Sequence, residues 1–241
     1  QDMSEKIMAS MLSPSFVRYA PYADKVKVRD YIRERGLGDI LLEHYGVWER
    51  PEEIDFASLP DKFILKTNNG CGGHVICKDK SQLDIPAAIK TLNMALNSGR
   101  HSVERHYRAI EPRVFAEELL DTGTEEWPTD YKIMCLNGKP AYMLTAVDRH
   151  TGVKFRTLDF EWNELPYIKE HVISREIPPK PKHLDRMIEI AGSLCEGFSW
   201  VRVDLYEHKG KVYFSEMTFC EGGGILYLYK DEALKLLGTK F

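Results

Sequence analysis

The sequence predicts an α+β protein whose sheets are mostly antiparallel. The dipeptide Asn137-Gly138 lies in the middle of residues 130–147, and this dipeptide is the strongest short signal for a β-hairpin. A second pair of strand-like runs covers residues 200–206 and 211–219. Helical and strand-like runs are mixed without the regular βαβ rhythm that a parallel sheet requires. The pattern therefore favours antiparallel hairpins combined with helices.

The remaining elements follow from local start and stop signals. Asp84 and Pro86 are suited to the first turn of a helix, because aspartate caps a helix and proline fits its start. Apolar residues recur with helical spacing further along the chain, and β-branched and aromatic runs flank a glycine-rich loop. Predicted helices cover residues 24–35, 84–99 and 183–198, and predicted strands cover residues 63–66, 74–78 and 113–120.

Composition narrows the functional classes. The chain has 241 residues, of which 43% are hydrophobic and 29% charged, as in an ordinary globular protein. Its formal net charge of −4 argues against broad binding to nucleic acid. No segment approaches the roughly 18 apolar residues of a membrane span, so we expect no membrane insertion. Five scattered cysteines predict reduced thiols and a cytoplasmic protein.

A lysine at a strand end precedes the glycine-rich loop. Lys66 ends the first strand-like run, and three glycines follow within residues 70–73. Such a loop can turn its backbone N–H groups toward a phosphate, but the sequence matches neither the P-loop nor the Rossmann pattern. A surface hairpin is the alternative. A nucleophilic Cys71 with His74 is a further one, although neither an oxyanion-hole motif nor an orienting acid accompanies the pair.

The second predicted hairpin carries charged residues in alternation. A three-residue loop at 208–210 would pair Asp204 with Phe214 and Arg202 with Glu216. A four-residue loop would instead place the two acids on opposite faces. Since side chains alternate along a strand, the three-residue loop predicts one shared face, which would carry Arg202, Asp204, Glu216 and Thr218.

The two acids on this face suggest a cation. Asp204 and Glu216 would lie diagonally, about 7–8 Å apart, and would repel each other by roughly 2 kcal/mol at an effective dielectric of about 20. A divalent ion such as Mg²⁺ binds one or two carboxylates together with phosphate oxygens. The alternative is a solvent-facing hairpin in which Arg202 neutralises Glu216.

The order of the blocks resembles that of the ATP-grasp superfamily, and most closely its TupA-like branch, the teichuronopeptide-biosynthesis proteins. The resemblance spans nearly the whole chain and implies two α+β lobes that enclose a nucleotide. It implies a helical segment at 1–60, a first lobe with the glycine loop at 61–118, and a second lobe with the hinge and metal site at 119–241. The blocks are YADKVKVRDYI, LPDKFILKTNNG, HYRAIEPRVFAEELL, DYKIMCLNGKP and VRVDLYEHKGKVYFSEMTF.

The resemblance also implies roles for individual residues toward ATP and Mg²⁺. The residues implied to contact the phosphates are Lys25, Lys66, Gly70, Gly72 and Gly73. The implied hinge, whose backbone would read adenine, is Glu117, Glu118, Leu119 and Leu120. The implied metal ligands are Asp204, Glu216 and Thr218, of which Thr218 stands where the family usually has asparagine.

Basic residues complete the implied site. Arg202 matches the arginine that steadies charge on the transferred phosphoryl group. Lys132 lies where peptide-extending relatives carry a basic residue for the acceptor carboxylate, and Arg149 and Arg156 are further candidates for that role.

The expected activity is that of an ATP-dependent, ADP-forming carboxylate–amine ligase that works through an acyl phosphate. The expected partners are a uronic-acid or amino-acid carboxylate of capsule or cell-wall polysaccharide synthesis and an amine donor. The alternatives are a sugar or small-molecule kinase, a glycosyltransferase, and an ATP-binding module without turnover. Thr218 in place of asparagine favours the last of these.

Overall fold

The protein is described by a computed structural model that covers residues 1–123, 128–147 and 152–240. Two compact units divide the chain. The loop unit comprises residues 14–34 and 41–120, and the hairpin unit comprises residues 1–13, 35–40 and 121–241. The chain passes from the loop unit to the hairpin unit after residue 120, and the lobe boundary expected at 118 stays a prediction. Residues 1–60 are shared between the units, because helix 3–12 packs on the C-terminal helix of the hairpin unit while residues 14–23 pack on helix 105–108.

Helices and strands agree in kind with the predicted α+β class. In the described residues, no helix is long and apolar enough to cross a membrane. The α-helices are α1 (Met3–Leu12), α2 (Ala20–Ala23), α3 (Val28–Glu34), α4 (Ile85–Arg100), α5 (Arg105–Arg108), α6 (Leu184–Leu194) and α7 (Asp231–Lys240). The strands are β1 (His44–Trp48), β2 (Phe63–Thr67), β3 (Val75–Cys77), β4 (Val114–Glu117), β5 (Asp130–Leu136), β6 (Lys139–Val147), β7 (Lys154–Leu158), β8 (Trp200–His208) and β9 (Lys211–Thr218). The 3₁₀ turns are Pro14–Tyr19, Gly38–Ile40, Pro51–Glu53, Lys80–Gln82, Glu170–Val172 and Glu221–Gly224.

The loop unit is built on an antiparallel sheet with strand order β1-β4-β2-β3. Helix α4 packs on it and buries Leu92 and Leu96 in the same cluster as Phe63 and Leu65. The predicted helix start is confirmed, since the Asp84 side chain accepts a hydrogen bond from the Ala87 N–H at 2.9 Å. This cap satisfies one of the N–H groups that a helix start leaves without a partner.

The hairpin unit is built on a second antiparallel sheet, with strand order β7-β6-β5-β8-β9. Helix α6 packs on the central strands and buries Met187, Ile190 and Leu194. The predicted turn is confirmed: Asn137 and Gly138 have φ of 49° and 72°, the left-handed values that a type I′ turn needs. Strands of the two sheets carry Lys66 and Glu117 in the loop unit, and Lys132, Arg202, Asp204, Glu216 and Thr218 in the hairpin unit.

Local hydrogen bonds explain where the elements depart from prediction. The helix predicted from residue 24 begins at Val28. The Asp24 carboxylate accepts the N–H groups of Val26 and Lys27 at 2.9 and 3.2 Å, and this turn competes with a helical start. Strands β1 and β7 and helix α7 were not predicted, because none of the three carries a strong turn or capping signal.

A buried histidine makes the stability of the loop unit sensitive to pH. His106 is fully buried beside the rings of Phe16 and Tyr107, with centroids 5.2 and 4.2 Å away. Burial, with a smaller effect from the charge of Lys25, lowers the pKa of His106 from 6.5 to about 4. Neither ring nitrogen has a hydrogen-bond partner among the described residues, so the neutral ring is the stable form.

We expect the free energy of unfolding to fall by about 3 kcal/mol between pH 6.5 and pH 4 on account of His106. In this window the unfolded chain takes up a proton that the folded chain excludes. Urea unfolding at a series of pH values should show this slope in the wild type and lose it in His106→Phe. The exposed His101→Phe is the control that should keep the slope. Equal slopes in the wild type and His106→Phe would contradict the assignment.

Candidate functional site

The hairpin β8–β9 turns over two residues, so the predicted three-residue loop is wrong. His208 pairs with Lys211, and between them Lys209 and Gly210 have φ of 48° and 76°. These left-handed values are those of a type I′ turn. Continued without interruption, this register would place Glu216 on the opposite face from Asp204, because side chains alternate along a strand.

A β-bulge restores the shared face. Leu205 pairs with Phe214, whereas the preceding pair is Asp204 with Glu216, so Ser215 is an extra residue on β9. Asp204 therefore lies directly opposite Glu216, and the predicted pairing of Asp204 with Phe214 is corrected. Arg202 lies opposite Thr218 instead of Glu216. The prediction that all four side chains share one face is confirmed by the hydrogen bonds among them.

Arg202 is the centre of this face. Its guanidinium donates from Nε to Asp204 Oδ1 at 2.7 Å and from Nη2 to Asp204 Oδ2 at 2.8 Å. Nη2 also donates to Glu216 Oε1 at 3.3 Å, and Nη1 donates to Glu221 Oε1 at 2.7 Å. Only 6% of Arg202 is exposed. The guanidinium is therefore held in one orientation by three carboxylates.

Lys132 joins the same cluster from β5. Its ammonium lies 2.5 Å from Asp204 Oδ2 and 2.7 Å from Asp130 Oδ2. Burial and the charge of Arg202 lower its pKa, but the neighbouring carboxylates, Glu216 included, outweigh them and raise it. The ammonium thus stays charged and engaged by two acids. Its expected role toward an acceptor carboxylate stays a prediction.

The donor set of this cluster fits a divalent cation in its chemistry. With every group ionised, four carboxylates surround two cations and leave two negative charges in excess. Glu221 Oε2 is buried and has no hydrogen-bond partner among the described residues. Hard oxygen donors are the ligands that Mg²⁺ prefers. Among the described residues, no three acids, histidines or cysteines are arranged so that they could hold a metal ion. Arg202 and Lys132 contact both oxygens of Asp204.

In the loop unit, the blocks around residues 24 and 68 are tied together. The buried Asn68 donates to Asp24 Oδ1 and to the Glu111 carbonyl, both at 3.0 Å. Lys25 Nζ donates to the Gly70 carbonyl at 2.6 Å. The buried Asn69 donates to the Leu96 carbonyl at the end of α4 at 3.1 Å. These contacts place Lys25 against the glycine loop, and the phosphate contact implied for it stays a prediction.

Glycine is favoured for a different physical reason at each of the three loop positions. Gly72 and Gly73 have φ of 78° and 65°, which residues with a Cβ rarely adopt. A Cβ on Gly73 would also lie 2.3 Å from the Cβ of Ala95, whereas nothing lies near Gly72. Gly70 packs on the Cα of Gly99 at 3.6 Å, measured from a hypothetical Cβ. Packing on α4 thus explains part of the glycine pattern, and phosphate contact stays a prediction.

Lys66 is engaged by a buried acid. Its ammonium bonds to Glu117 Oε1 from the neighbouring strand β4, and His44 Nε2 lies 3.6 Å from Glu117 Oε2. Burial raises the pKa of Glu117, but the charge of Lys66, its hydrogen bond to Glu117 and the nearby His44 outweigh this effect, so the pKa falls from 4.5 to about 2. Glu117 therefore holds the strand lysine in place.

We expect this ion pair to contribute about 3 kcal/mol to the free energy of unfolding at pH values above 4.5. The contribution should disappear as the pH falls from 4.5 to about 2, because Glu117 must then accept a proton. Acid unfolding followed by circular dichroism should begin at higher pH in Glu117→Gln than in the wild type. Glu118→Gln, at the neighbouring half-buried position, is the control. An unchanged acid transition in Glu117→Gln would refute the assignment.

The implied hinge lies at the C-terminal end of the loop unit. The Glu118 N–H donates to the Glu43 carbonyl at 2.9 Å and so is already engaged. In the described part of the chain, no hydrogen bond engages the backbone of Leu119 or Leu120, and both residues are half-buried. These two residues have backbone groups that could meet an adenine ring, and their role stays a prediction.

Two further arginines, Arg149 and Arg156, were candidates for binding the acceptor carboxylate. Arg149 lies outside the described residues. Arg156 donates to Glu164 at 2.5 Å and to Ser174 Oγ at 3.2 Å, and also to the carbonyls of Ser174 and Arg175. Its guanidinium therefore ties strand β7 to residues 164–175, which accounts for the arginine without an acceptor substrate.

Sequence reasoning missed several residues of both clusters. Three of them lie near a predicted residue in the sequence: Asp24 precedes Lys25, Asp130 lies two residues before Lys132, and Glu221 lies three residues after Thr218. Asp24 and Asp130 fall inside the blocks that carry the family resemblance, which was a usable signal. Glu221 had no such signal. The missed residues are Asp24, His44, Asn68, Asn69, Asp130 and Glu221.

Solved structures resemble this chain in fold at low sequence identity. The D-alanine–D-alanine ligase from Helicobacter pylori matches with a TM-score of 0.50 and 14% identity over 91% of this chain and 58% of that one. The D-alanine–D-alanine ligase from Bacillus anthracis complexed with ATP matches with a TM-score of 0.48 and 15% identity over 82% and 53%. The ATP-grasp ligase PsnB complexed with precursor peptide PsnA2 and AMPPNP matches with a TM-score of 0.45 and 16% identity over 88% and 53%. The chain thus spans little more than half the length of these solved proteins.

The family comparison covers nearly the whole chain. No curated protein matches it. The TupA-like ATP-grasp family matches residues 5–241, and both antiparallel sheets of the fold lie within that range. The chain therefore has the ATP-grasp fold and belongs to the TupA-like ATP-grasp family.

Proposed function

We propose that this protein is a cytoplasmic, ATP-dependent and ADP-forming carboxylate–amine ligase that works through an acyl phosphate. The observation that carries the proposal is the shared face on which Arg202, Asp204 and Glu216 contact one another. A guanidinium beside two acids is suited to neutralising charge during phosphoryl transfer. Membership in the ATP-grasp family supports ATP as the phosphoryl donor.

In the loop unit, the basic groups would contact the phosphates. Lys25 lies on the glycine loop, and Lys66 is fixed by Glu117. On ATP binding, Lys66 would share its N–H donors between Glu117 and a phosphate oxygen. The N–H groups of residues 70–73 would provide further donors. Leu119 and Leu120 would offer their backbone groups to adenine.

In the hairpin unit, Asp204, Glu216 and Thr218 would hold the magnesium ion that accompanies ATP. When bound, the ion supplies neutralisation of phosphate charge. Asp204 would exchange one of its present partners for the ion. Arg202 would stabilise the charge that builds up on the transferred phosphoryl group.

The proposed reaction has two displacement steps. A carboxylate oxygen of the acceptor attacks the γ-phosphorus of ATP, and the bond to the β–γ bridging oxygen breaks, so ADP leaves. The amine nitrogen then attacks the acyl carbon, inorganic phosphate leaves with the former carboxylate oxygen, and the nitrogen loses a proton. The side chains contribute by positioning and charge neutralisation.

Two observations suggest the class of acceptor: the positive charges of Lys132 and Arg149, and membership in the TupA-like family. A uronic-acid or amino-acid carboxylate of capsule or cell-wall polysaccharide synthesis agrees with the TupA-like branch. Lys132 and Arg149 would be its anchors, and Lys132 would first have to share the donors that it now gives to Asp130 and Asp204.

The direct experiment combines magnesium, ATP and a panel of uronates, amino acids and amines. ADP release that depends on an acceptor, together with a hydroxamate when hydroxylamine is added, would support the ligase. A stable phosphorylated sugar without hydroxamate would point to a kinase. ADP release from no member of the panel would count against both.

A second candidate is a nucleotide-binding module without turnover. Two features favour it because each weakens the site for magnesium. Arg202 and Lys132 already engage both oxygens of Asp204, and Thr218 offers only a hydroxyl. Tight binding of ATP by calorimetry, combined with no ADP release across the panel, would support this candidate over the ligase.

A further inference from the structure

Glu221 belongs to the charged cluster but has no role in the proposed reaction. It follows β9 at the start of the turn Glu221–Gly224. Its Oε1 accepts from Arg202 Nη1 at 2.7 Å, and its Oε2 is buried without a hydrogen-bond partner among the described residues. Its side chain is 18% exposed. Burying a carboxylate costs desolvation energy, so we expect a compensating role for Glu221.

Helix α1 holds the turn that carries Glu221. Residues 222–224 all have left-handed φ, between 57° and 86°, so the chain reverses tightly here. The hydroxyl of Ser4 bonds to the Gly224 carbonyl on one side of Glu221. On the other side, the Cys220 thiol lies 3.2 Å from Met11 Sδ. The backbone of Glu221 is therefore fixed from both flanks by one helix of the same unit.

Of the three carboxylates that contact Arg202 among the described residues, Glu221 is the one that is not a proposed magnesium ligand. Asp204 and Glu216 are the proposed magnesium ligands. A carboxylate oxygen that binds the ion accepts a weaker hydrogen bond from the guanidinium of Arg202. Glu221 is not among those ligands, and its contact with Nη1 is one of the two shortest that Arg202 makes. Hydrogen bonds between charged groups are about twice as strong as neutral ones.

We propose that Glu221 is a positioning residue that keeps the guanidinium of Arg202 in its present orientation when Asp204 and Glu216 hold magnesium. This inference rests on the proposed function of the hairpin face. It predicts that loss of Glu221 harms the chemical step more than the binding of ATP, because Arg202 would act mainly on the transferred phosphoryl group.

Steady-state kinetics test the inference with a matched control. In Glu221→Ala, kcat is expected to fall at least about tenfold while KM for ATP stays within about twofold. Glu221→Gln keeps an acceptor oxygen and should recover part of the loss. The control is Glu207→Ala, which removes a carboxylate of the same unit that is 17% exposed and pairs with His183. An unchanged kcat in Glu221→Ala, or an equal loss in Glu207→Ala, would overturn the proposal.

A second readout does not depend on turnover. The side-chain Nε–H signal of Arg202 can be followed by ¹⁵N NMR and assigned with Arg202→Lys. With magnesium and a non-hydrolysable ATP analogue, the signal should stay sharp in the wild type and broaden in Glu221→Ala. A signal that stays equally sharp in both proteins would overturn the inference. If the wild type releases no ADP, the proposed ligase fails, and the NMR result still decides the role of Glu221.

Discussion

Replacing Arg202 with methionine is expected to lower the free energy of unfolding by about 3–5 kcal/mol, because the change leaves buried carboxylates without their counter-charge. Arg202 is 6% exposed and Asp204 is 1% exposed, so water cannot replace the lost hydrogen bonds. Asp204 would keep only Lys132, and Glu221 would lose its partner. Urea unfolding of the wild type and Arg202→Met measures the effect.

The control for this prediction is an exposed ion pair of the same unit. Arg186 contacts Glu189 at 2.9 Å, with both side chains well exposed, and such pairs contribute about 0–1 kcal/mol. Arg186→Met should therefore change stability by less than about 1 kcal/mol. A similarly small change in Arg202→Met would mean that the cluster is hydrated, and the description of a buried charged face would be wrong.

Replacing Glu216 with alanine is expected to abolish turnover with little loss of stability. Glu216 is more exposed than its neighbours, at 24% of its side chain, and its contacts with Arg202 and Thr218 are both long, at 3.3 Å. As a proposed magnesium ligand, however, it acts where phosphate charge is neutralised. We expect acceptor-dependent ADP release to fall at least about 100-fold and stability to fall by less than about 1 kcal/mol.

Two comparisons make the Glu216 result specific. Glu164→Ala removes a carboxylate that pairs with Arg156 in the same unit and should leave ADP release near the wild-type value. Thermal unfolding of Glu216→Ala verifies that the protein is folded. Wild-type turnover in a folded Glu216→Ala protein would remove Glu216 from the metal site and, with it, the proposed use of this face.

The class of fold was accessible from local signals in the sequence. Asn137-Gly138 predicted its hairpin because few other dipeptides adopt two left-handed conformations. Asp84 predicted the start of α4 because its side chain can cap the helix. The order of the five blocks resembled that of the TupA-like ATP-grasp family, and the family match over residues 5–241 confirms this resemblance.

The details of the charged cluster were less accessible because they depend on tertiary context. Lys209-Gly210 makes a two-residue turn in which the lysine has a φ of 48°. Lysine rarely adopts positive φ, so the residue type does not predict this turn. The bulge at Ser215 then compensates for the turn, and no sequence pattern predicts both together. Glu221 precedes three glycines with left-handed φ. Helix α1, more than 200 positions away in the sequence, holds this turn in place. Contacts of that separation cannot be inferred from local periodicity.

The central claim is that an acceptor carboxylate takes the γ-phosphoryl group of ATP before the amine attacks. The most direct measurement uses an acceptor whose carboxylate oxygens are ¹⁸O, with magnesium, ATP and the amine, and follows the released inorganic phosphate by mass spectrometry. The ligase mechanism predicts one ¹⁸O atom in each phosphate, because the carboxylate oxygen leaves with phosphorus. ADP formation with phosphate that carries no ¹⁸O would contradict it.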